Sequence, residues 1–474
     1  MNLLTQKSMR LLTFVVALAV CQFCSMAALA DDDQSDREEE MFGGSQDEVP
    51  PNSDRLLESK LAEVDDFLDI GGDLYMRLQY YQFDKSSDGS FDEYRLASPN
   101  LLHLYLDGRP NDHLRAFVRG RLQYDFTVDE NDPYNAMLGT QALDVFLDQL
   151  WLKFDIGRVA YITVGRQVIR WGSGRFWNPT DFLNQQHRDP LATFDERLGV
   201  SLIKVHIPVE SLGWNFYAVA NLDGATTPEE VGGALRAEFL FGSNELAVSA
   251  AYRKDQPLRL GLDISSAVWE FDLRVEAAVV HGDKTPYWRG RFDMLNLVFP
   301  EEYSREDDWI PQLTAGAEVA IMYSDQDSLI IGVEYFYNDA TNKDSQLYTW
   351  LLMQGNYMPF YLGQHYASGY LALMQPGDWN DTTFFLSGIT NMSDGTWIAR
   401  LDYQVRLLTY LQLSAFATFH FGDYGEFRLP TEIPAIDEAM IPESTPESWR
   451  QILIDGLSVP AQRFELGIWL KLDL

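Results

Sequence analysis

The chain has 474 residues, 46% of them apolar, and a formal charge of −35 from 36 Lys+Arg against 71 Asp+Glu. That apolar share excludes disorder throughout, and the acidic balance excludes a nucleic-acid binder, which needs a basic stripe. Mean hydropathy is −0.20, and no apolar run of about 18 residues comes after the first thirty, so a polytopic helical membrane protein is excluded.

In chain order, residues 1–30 read as a secretory signal peptide. Lys7 and Arg10 form the basic start, Leu11 to Val20 the apolar stretch, and Ala28-Leu29-Ala30 the small-residue cleavage site. Both cysteines, Cys21 and Cys24, fall inside it. The chain beyond residue 30 therefore has no disulfide and no thiol chemistry. Losing Lys7 and Arg10 takes the formal charge from −35 to −37. Residues 31–66 are acidic and carry Asp31-Asp32-Asp33, Glu38-Glu39-Glu40 and Pro50-Pro51. They read as a flexible periplasmic leader. Leu56, Leu57, Leu61 and Val64 have spacing that allows a short helix there.

From residue 67 to the end the pattern has period two. Leu74, Met76, Leu78 and Tyr80 alternate with Asp73, Tyr75, Arg77 and Gln79. Ala116, Val118, Gly120 and Leu122 alternate with Arg115, Phe117, Arg119 and Arg121. The same holds from Trp269 to Glu276, from Trp397 to Arg406 and from Phe464 to Leu474. One face is apolar and the other charged, over segments of about ten residues, which is the pattern of a transmembrane β-strand facing lipid on one side and a polar lumen on the other. Eighteen strands fit, centred near residues 75, 103, 120, 150, 164, 202, 217, 237, 250, 260, 275, 317, 334, 370, 387, 401, 416 and 468. The count falls to sixteen if the segments near 260 and 370 are not strands.

Connections alternate as a barrel requires. Short turns are expected at Asp107–His113, Ile156–Arg158, Pro208–Gly213, Gly242–Asn244, Ser265–Ser266, Ser324–Asp327, Gln375–Asp381 and Leu408–Tyr410. Long connections fall at 84–97, 127–143, 171–196, 283–310, 338–363 and 423–460. The fold class is therefore an all-β, antiparallel outer-membrane β-barrel over residues 67–474. Tyr80, Tyr81, Tyr124, Trp151, Trp214, Tyr252, Trp269, Tyr323, Trp397, Tyr410 and Trp469 suit interfacial aromatic girdles.

The segment 162–199 is distinctive. Gly165-Arg166-Gln167, then Trp171-Gly172, then Asn178-Pro179-Thr180-Asp181 resembles a signature of porin-like outer-membrane proteins of Gram-negative bacteria, near the alginate-export and substrate-specific porin families. The resemblance implies an outer-membrane pore and names no solute. Such barrels usually end in Phe or Trp, whereas this chain ends in Leu474. Independently of the family, the glycines permit unusual backbone angles and Asn178-Pro179 starts a turn. Trp171, Gly172, Asn178, Pro179 and Asp181 thus belong to a long loop that would narrow the lumen if it folds inward, and otherwise lies at the surface.

Arg77, Arg115, Arg119 and Arg121 share the inward parity, and Arg175 from the loop joins them. Arg166 and Arg170 are nearby. Arg166 faces lipid if Ile162 and Val164 do, unless a bulge intervenes near Gly165. Permanently charged guanidinium groups select anions. The alternative is that they pair with inward acids such as Asp73, Asp125 or Asp155. The loop 423–460 holds eight acids against Arg428 and Arg450. It reads as a solvated acidic face, or as a place where divalent cations bridge to outer-leaflet lipid. No calcium-loop spacing appears, so no metal ligand is named. His103, His113, His187, His206, His281, His365 and His420 form no catalytic or zinc motif, and neither a nucleophile elbow nor a P-loop occurs.

The expected function is passive diffusion of small polar, including anionic, solutes through the outer membrane, without enzymatic chemistry or cofactors. The expected partners are outer-membrane lipid and the solute. Export of an anionic polysaccharide and a non-conducting scaffold or adhesin barrel are the alternatives.

Overall fold

The computed structural model describes residues 67–474 apart from 87–90, 130–131, 133, 136–138, 185, 193–194, 294–295, 297, 325–326, 343, 439–440 and 442–446. The expected signal peptide, leader and short helix lie outside the described residues. The described chain divides into two units. One comprises residues 67–69 with Gly108–Asp112, and carries the first residues of β1 and the last of β3. The other, Ile70–Asp107 with His113–Leu474, holds the barrel.

The strands are β1 (Leu68–Phe83), β2 (Tyr94–Ala97), β3 (Pro99–Asn111), β4 (Leu114–Asp125), β5 (Leu143–Ile156), β6 (Ala160–Gln167) and β7 (Val200–Val209). They continue with β8 (Trp214–Asn221), β9 (Gly232–Phe241), β10 (Asn244–Tyr252), β11 (Leu258–Val268), β12 (Phe271–Arg289), β13 (Glu301–Met322) and β14 (Ser328–Asn338). Last come β15 (His365–Met374), β16 (Thr382–Asn391), β17 (Thr396–Leu408), β18 (Leu411–Phe421), β19 (Thr431–Ile433), β20 (Leu457–Val459) and β21 (Gln462–Asp473). Helix α1 (Tyr348–Met353) lies between β14 and β15, and α2 (Glu447–Asp455) between β19 and β20.

A single sheet of nineteen strands contains β1 to β18 and β21. β2 pairs with the far half of β1, from Gln79↔Ala97 to Gln82↔Tyr94. β3 resumes after Ser98 and also pairs with β1. β2 and β3 thus share one place, and the wall is eighteen strands. Ser98 marks the break: its N–H donates to Asp125 Oδ1 at 3.1 Å, and its hydroxyl to the Arg77 carbonyl at 2.7 Å. Closure comes from β21, which pairs antiparallel with β18 from Leu411↔Leu472 and with β1 from Asp73↔Asp473. Hydrocarbon offers no hydrogen bonds, so a sheet in lipid must close on itself.

All eighteen expected strand centres lie within strands of this wall, including β11 near 260 and β15 near 370. Side chains follow the pleat. On β12, Phe271, Leu273 and Val275 are exposed, while Glu276 and Ala278 are buried. On β11, Leu260, Leu262 and Ile264 are exposed and Asp263 is buried. The exposed face is the apolar one, the reverse of a soluble sandwich, and it is the face that meets lipid.

Four details differ from expectation. Ser265–Ser266 lies inside β11, and the turn is Trp269-Glu270, with Trp269 at φ 56°. Much of 283–310 is strand, because β12 and β13 stay paired out to Arg289↔Glu301. The loop 423–460 carries a small β19–β20 sheet and α2, packed through Ile433, Ile452 and Leu453. Tyr81, Trp151 and Trp469 have inward parity: Tyr81 is paired with Glu465, Trp151 stacks on Phe117 at 5.3 Å, and Trp469 is buried. Tyr81 shares the parity of Arg77 and Trp469 that of Lys471, whereas Trp151 takes its inward side after the register shift opposite Arg119 and Gly120.

Leu401, midway along β17, is 47% exposed on the outer face. Leu401→Arg is expected to cost about 2–4 kcal/mol in a urea titration of folding into liposomes, and a cost of about 0–1 kcal/mol would place it away from the hydrocarbon midplane.

Candidate functional site: an inward-folded loop and the charged lumen

The connection 168–199 folds into the barrel and packs against two parts of its inner wall. Ile169, Trp171, Phe182 and Leu183 pack against Val200, Leu202, Val219, Ala234 and Ala278, which come from β7, β8, β9 and β12. Phe176 and Trp177 pack against Phe336, Tyr366, Ile389 and Ile398, from β14, β15, β16 and β17. Trp177 is fully buried, lies over the Phe336 ring at 5.4 Å, and donates its indole N–H to the Phe360 carbonyl at 3.0 Å.

Two carboxylates of the wall hold the loop backbone. Glu276 of β12 accepts from the Gly174 N–H at 2.5 Å, the Thr180 hydroxyl at 2.8 Å and Asn178 Nδ2 at 3.0 Å. Glu334 of β14 accepts three consecutive N–H groups: Arg175 at 2.6 Å, and Phe176 and Trp177 at 2.9 Å each. These hydrogen bonds replace the water lost on burial. Gly172 sits at φ 94°, where a Cβ would stand 2.5 Å from Glu276 Oε2. The glycine therefore allows both the left-handed backbone and the close approach. Asp181 closes the loop on itself, accepting from the Trp171 N–H at 3.2 Å, Asn184 at 2.8 Å and Arg197 at 2.8 Å.

The structure brings together part of the expected arginine set. Arg119 and Arg121 both reach the fully buried Asp148, Arg119 through Nε at 2.6 Å and Arg121 at 3.2 Å. Arg77 pairs with Glu196 of the loop at 2.9 Å and lies over Trp469 at 4.4 Å. Arg121 also donates to the Glu196 carbonyl. Arg115 makes a bidentate pair with Asp107, both contacts at 2.8 Å. The acids that face these cations are therefore Asp107, Asp148 and Glu196. Asp73 pairs instead with Lys471, Asp155 with His113, and Asp125 with the backbone around Ser98 and Thr127.

Arg175 keeps its guanidinium 5.2 Å from the Tyr370 ring and 5.9 Å from the Phe385 ring. Among the described residues it has no carboxylate partner. Arg170 is exposed and donates to the Gly174 carbonyl at 3.2 Å. Arg166 stands apart from this group. Its register is unbroken opposite Leu150 and Ser201, on the side of Val164, despite Gly165 at φ 120°. It therefore carries the outward parity.

Cavities of about 510 and 440 Å³ lie beside the loop. Asn178, Phe182, Arg253 and Arg259 help line the first; Arg77, Arg188, Arg400 and Glu465 help line the second. His187 lines both, stacked on Tyr361 at 4.1 Å. Burial, with Arg259 and Arg197 nearby, lowers its pKa to about 4, so it is neutral at pH 7.

Sequence reasoning missed Glu276, Glu334, Asp148 and Glu426. The available signal was an acid at inward parity within an otherwise apolar strand, as in Val333-Glu334-Tyr335-Phe336. Glu426, in the connection after β18, accepts from the Phe360 N–H, from the Tyr366 hydroxyl at 2.6 Å and from Asn391 at 2.9 Å. Burial raises its pKa to about 8, and Asp394 adds to the rise.

No family model and no curated protein matches the chain. Among solved structures it is similar to OccK1 (OpdK) of Pseudomonas aeruginosa, at 9% identity and a TM-score of 0.47, over 86% of this chain and 99% of that one. It is similar to a BenF-like porin from Pseudomonas fluorescens Pf-5, at 10% identity and a TM-score of 0.49 over the same shares. It is also similar to Pseudomonas aeruginosa OpdL, at 11% identity and a TM-score of 0.49, over 86% and 98%. Likeness at this level carries no argument about solute or residue roles.

The charge network sets two expectations. Arg119→Ala with Arg121→Ala strands the buried Asp148 and should cost about 3–5 kcal/mol in urea titration, with Asp148→Asn restoring part of the loss. Glu426 keeps its proton to about pH 8 when folded, whereas an unfolded glutamate releases it near pH 4.3. The folded state then binds more protons, so stability falls as pH rises from about 4.3 to about 8. Glu426→Gln should flatten that part of the profile, measured as the urea midpoint against pH.

Proposed function

We propose that the protein is a porin-like channel of the bacterial outer membrane, passing small polar and preferentially anionic solutes by diffusion. The observation that carries this reading is a closed wall, apolar outside and charged inside, with a loop folded into its lumen and cavities left beside it. A charged lumen holds water, and a solute that exchanges hydration for lumen groups crosses without a chemical step. The short turns then face the periplasm and the long connections the exterior.

The inward loop supports small solutes over a polysaccharide. A polymer would have to displace a segment fixed by two buried carboxylates and two hydrophobic clusters. Anion preference draws its support from Arg175, because Arg77, Arg115, Arg119 and Arg121 each face an acid.

Planar-bilayer recording of the refolded protein in a salt gradient tests both parts. Discrete current steps with an anion-selective reversal potential are expected, and Arg175→Glu should move that potential toward cations. A folded, heat-modifiable barrel without steps would sink the channel reading. Cation preference in the unaltered protein would reject the anionic part alone.

A further inference from the structure

A second set of inward cations lies nearer the short-turn end of the wall. Arg115 of β4 is directly opposite Lys153 of β5, Lys153 is opposite Thr163 of β6, and Thr163 is opposite Lys204 of β7. Three basic side chains and a hydroxyl thus form one row across four adjacent strands. Leu202, two residues along β7 from Lys204, is buried under the folded loop. The row therefore lies just on the short-turn side of that loop.

The nearby acids are already engaged. Asp107 holds Arg115, Asp155 holds His113 at 2.7 Å, Asp148 holds Arg119 and Arg121, and Glu238 holds Arg236 at 2.8 Å. Among the described residues, neither Lys153 nor Lys204 has an ion pair. Lys153 is exposed, with its ammonium 5.4 Å from the Tyr161 ring, and Lys204 is half-buried. Beside them His206 stacks on Tyr217 at 4.6 Å and bonds Asn215 at 2.8 Å.

Like charges close together on one face of a sheet are destabilising. A chain with 71 acids against 36 bases does not leave two lysines uncompensated for want of acids. Their strands are two steps apart, about 10 Å at the usual spacing. Two four-carbon stems close that gap easily, and their ammonium groups can converge on one anion with charge-assisted hydrogen bonds.

We infer that Lys153 and Lys204, with Thr163 between them, form a binding site for a small oxyanion, a carboxylate or a phosphate, on the short-turn side of the folded loop. The inference deepens the channel reading and rests on it for its purpose: the site would receive an anion that has passed the loop.

The test is isothermal titration of inorganic phosphate, and separately of acetate, into the refolded protein in detergent, with bilayer recordings run in parallel. Saturable binding is expected for at least one of the two. Phosphate binding tighter than acetate assigns phosphate esters, and the reverse order assigns carboxylates. Lys153→Met with Lys204→Met should weaken binding at least tenfold, while Lys153→Arg with Lys204→Arg should keep it. The Met pair retains most of each apolar stem, and its heat-modifiable shift on a gel reports folding. Equal affinity in the Met pair and the unaltered protein would overturn the site, as would no binding by an intact barrel. A barrel that conducts without binding rejects only this site. One that binds without conducting rejects only the channel.

Discussion

Backbone groups inside hydrocarbon must find partners within the protein, and the rest of this molecule depends on that requirement. The pairing of β21 with both β18 and β1 meets it, with an unbroken register from Asp73↔Asp473 to Gln82↔Phe464. Once the wall is closed, the pleat assigns every side chain to lipid or to lumen. The apolar set faces lipid, so the polar set must solve its own electrostatics inside.

The lumen solves it mostly by pairing. Charges buried without partners are expensive, and pairs with good geometry and further hydrogen bonds offset that cost. Asp148 is fully buried between two arginines, and Arg77 reaches across to Glu196. Glu276 and Glu334 take a different route, since their nearest donors are backbone and neutral side-chain groups of one loop. A carboxylate on the wall thereby becomes an anchor for a segment that would otherwise hang free. Loop and wall are mutually dependent: the acids need the donors, and the loop backbone, buried in the lumen, needs the acceptors.

Pairing also decides which cations remain available to a solute. A guanidinium already bound bidentately to a carboxylate, as Arg115 is to Asp107, contributes little net field. Among the described residues, the cations without a carboxylate partner include Arg175 at the loop and Lys153 and Lys204 beyond it. They lie on different elements and come into relation only through the strand register and the inward fold of the loop.

Period-two alternation fixed the fold class and the side of the wall for most residues, because a one-residue slip would expose charge to lipid, and it narrowed the strand count to eighteen or sixteen. Local turn chemistry was less legible: Ser265-Ser266 resembled a turn, yet Trp269 in a left-handed conformation makes it. Nearness to a strand end did not separate girdle aromatics from inward ones, because both occur there; parity did for Tyr81 and Trp469. The seven-arginine set was legible as residues but not as a site. Arg166 carries the outward parity, and four of the others face acids that no linear spacing reveals, such as Asp148 across a bulge at Arg119/Gly120. The sequence by itself determined a closed β-barrel with a charged interior and a long glycine-containing loop, since those properties depend on local periodicity. Only the tertiary structure decided that the loop turns inward onto Glu276 and Glu334 and that the lysines stand in one row, because those relations join strands that are far apart in the chain.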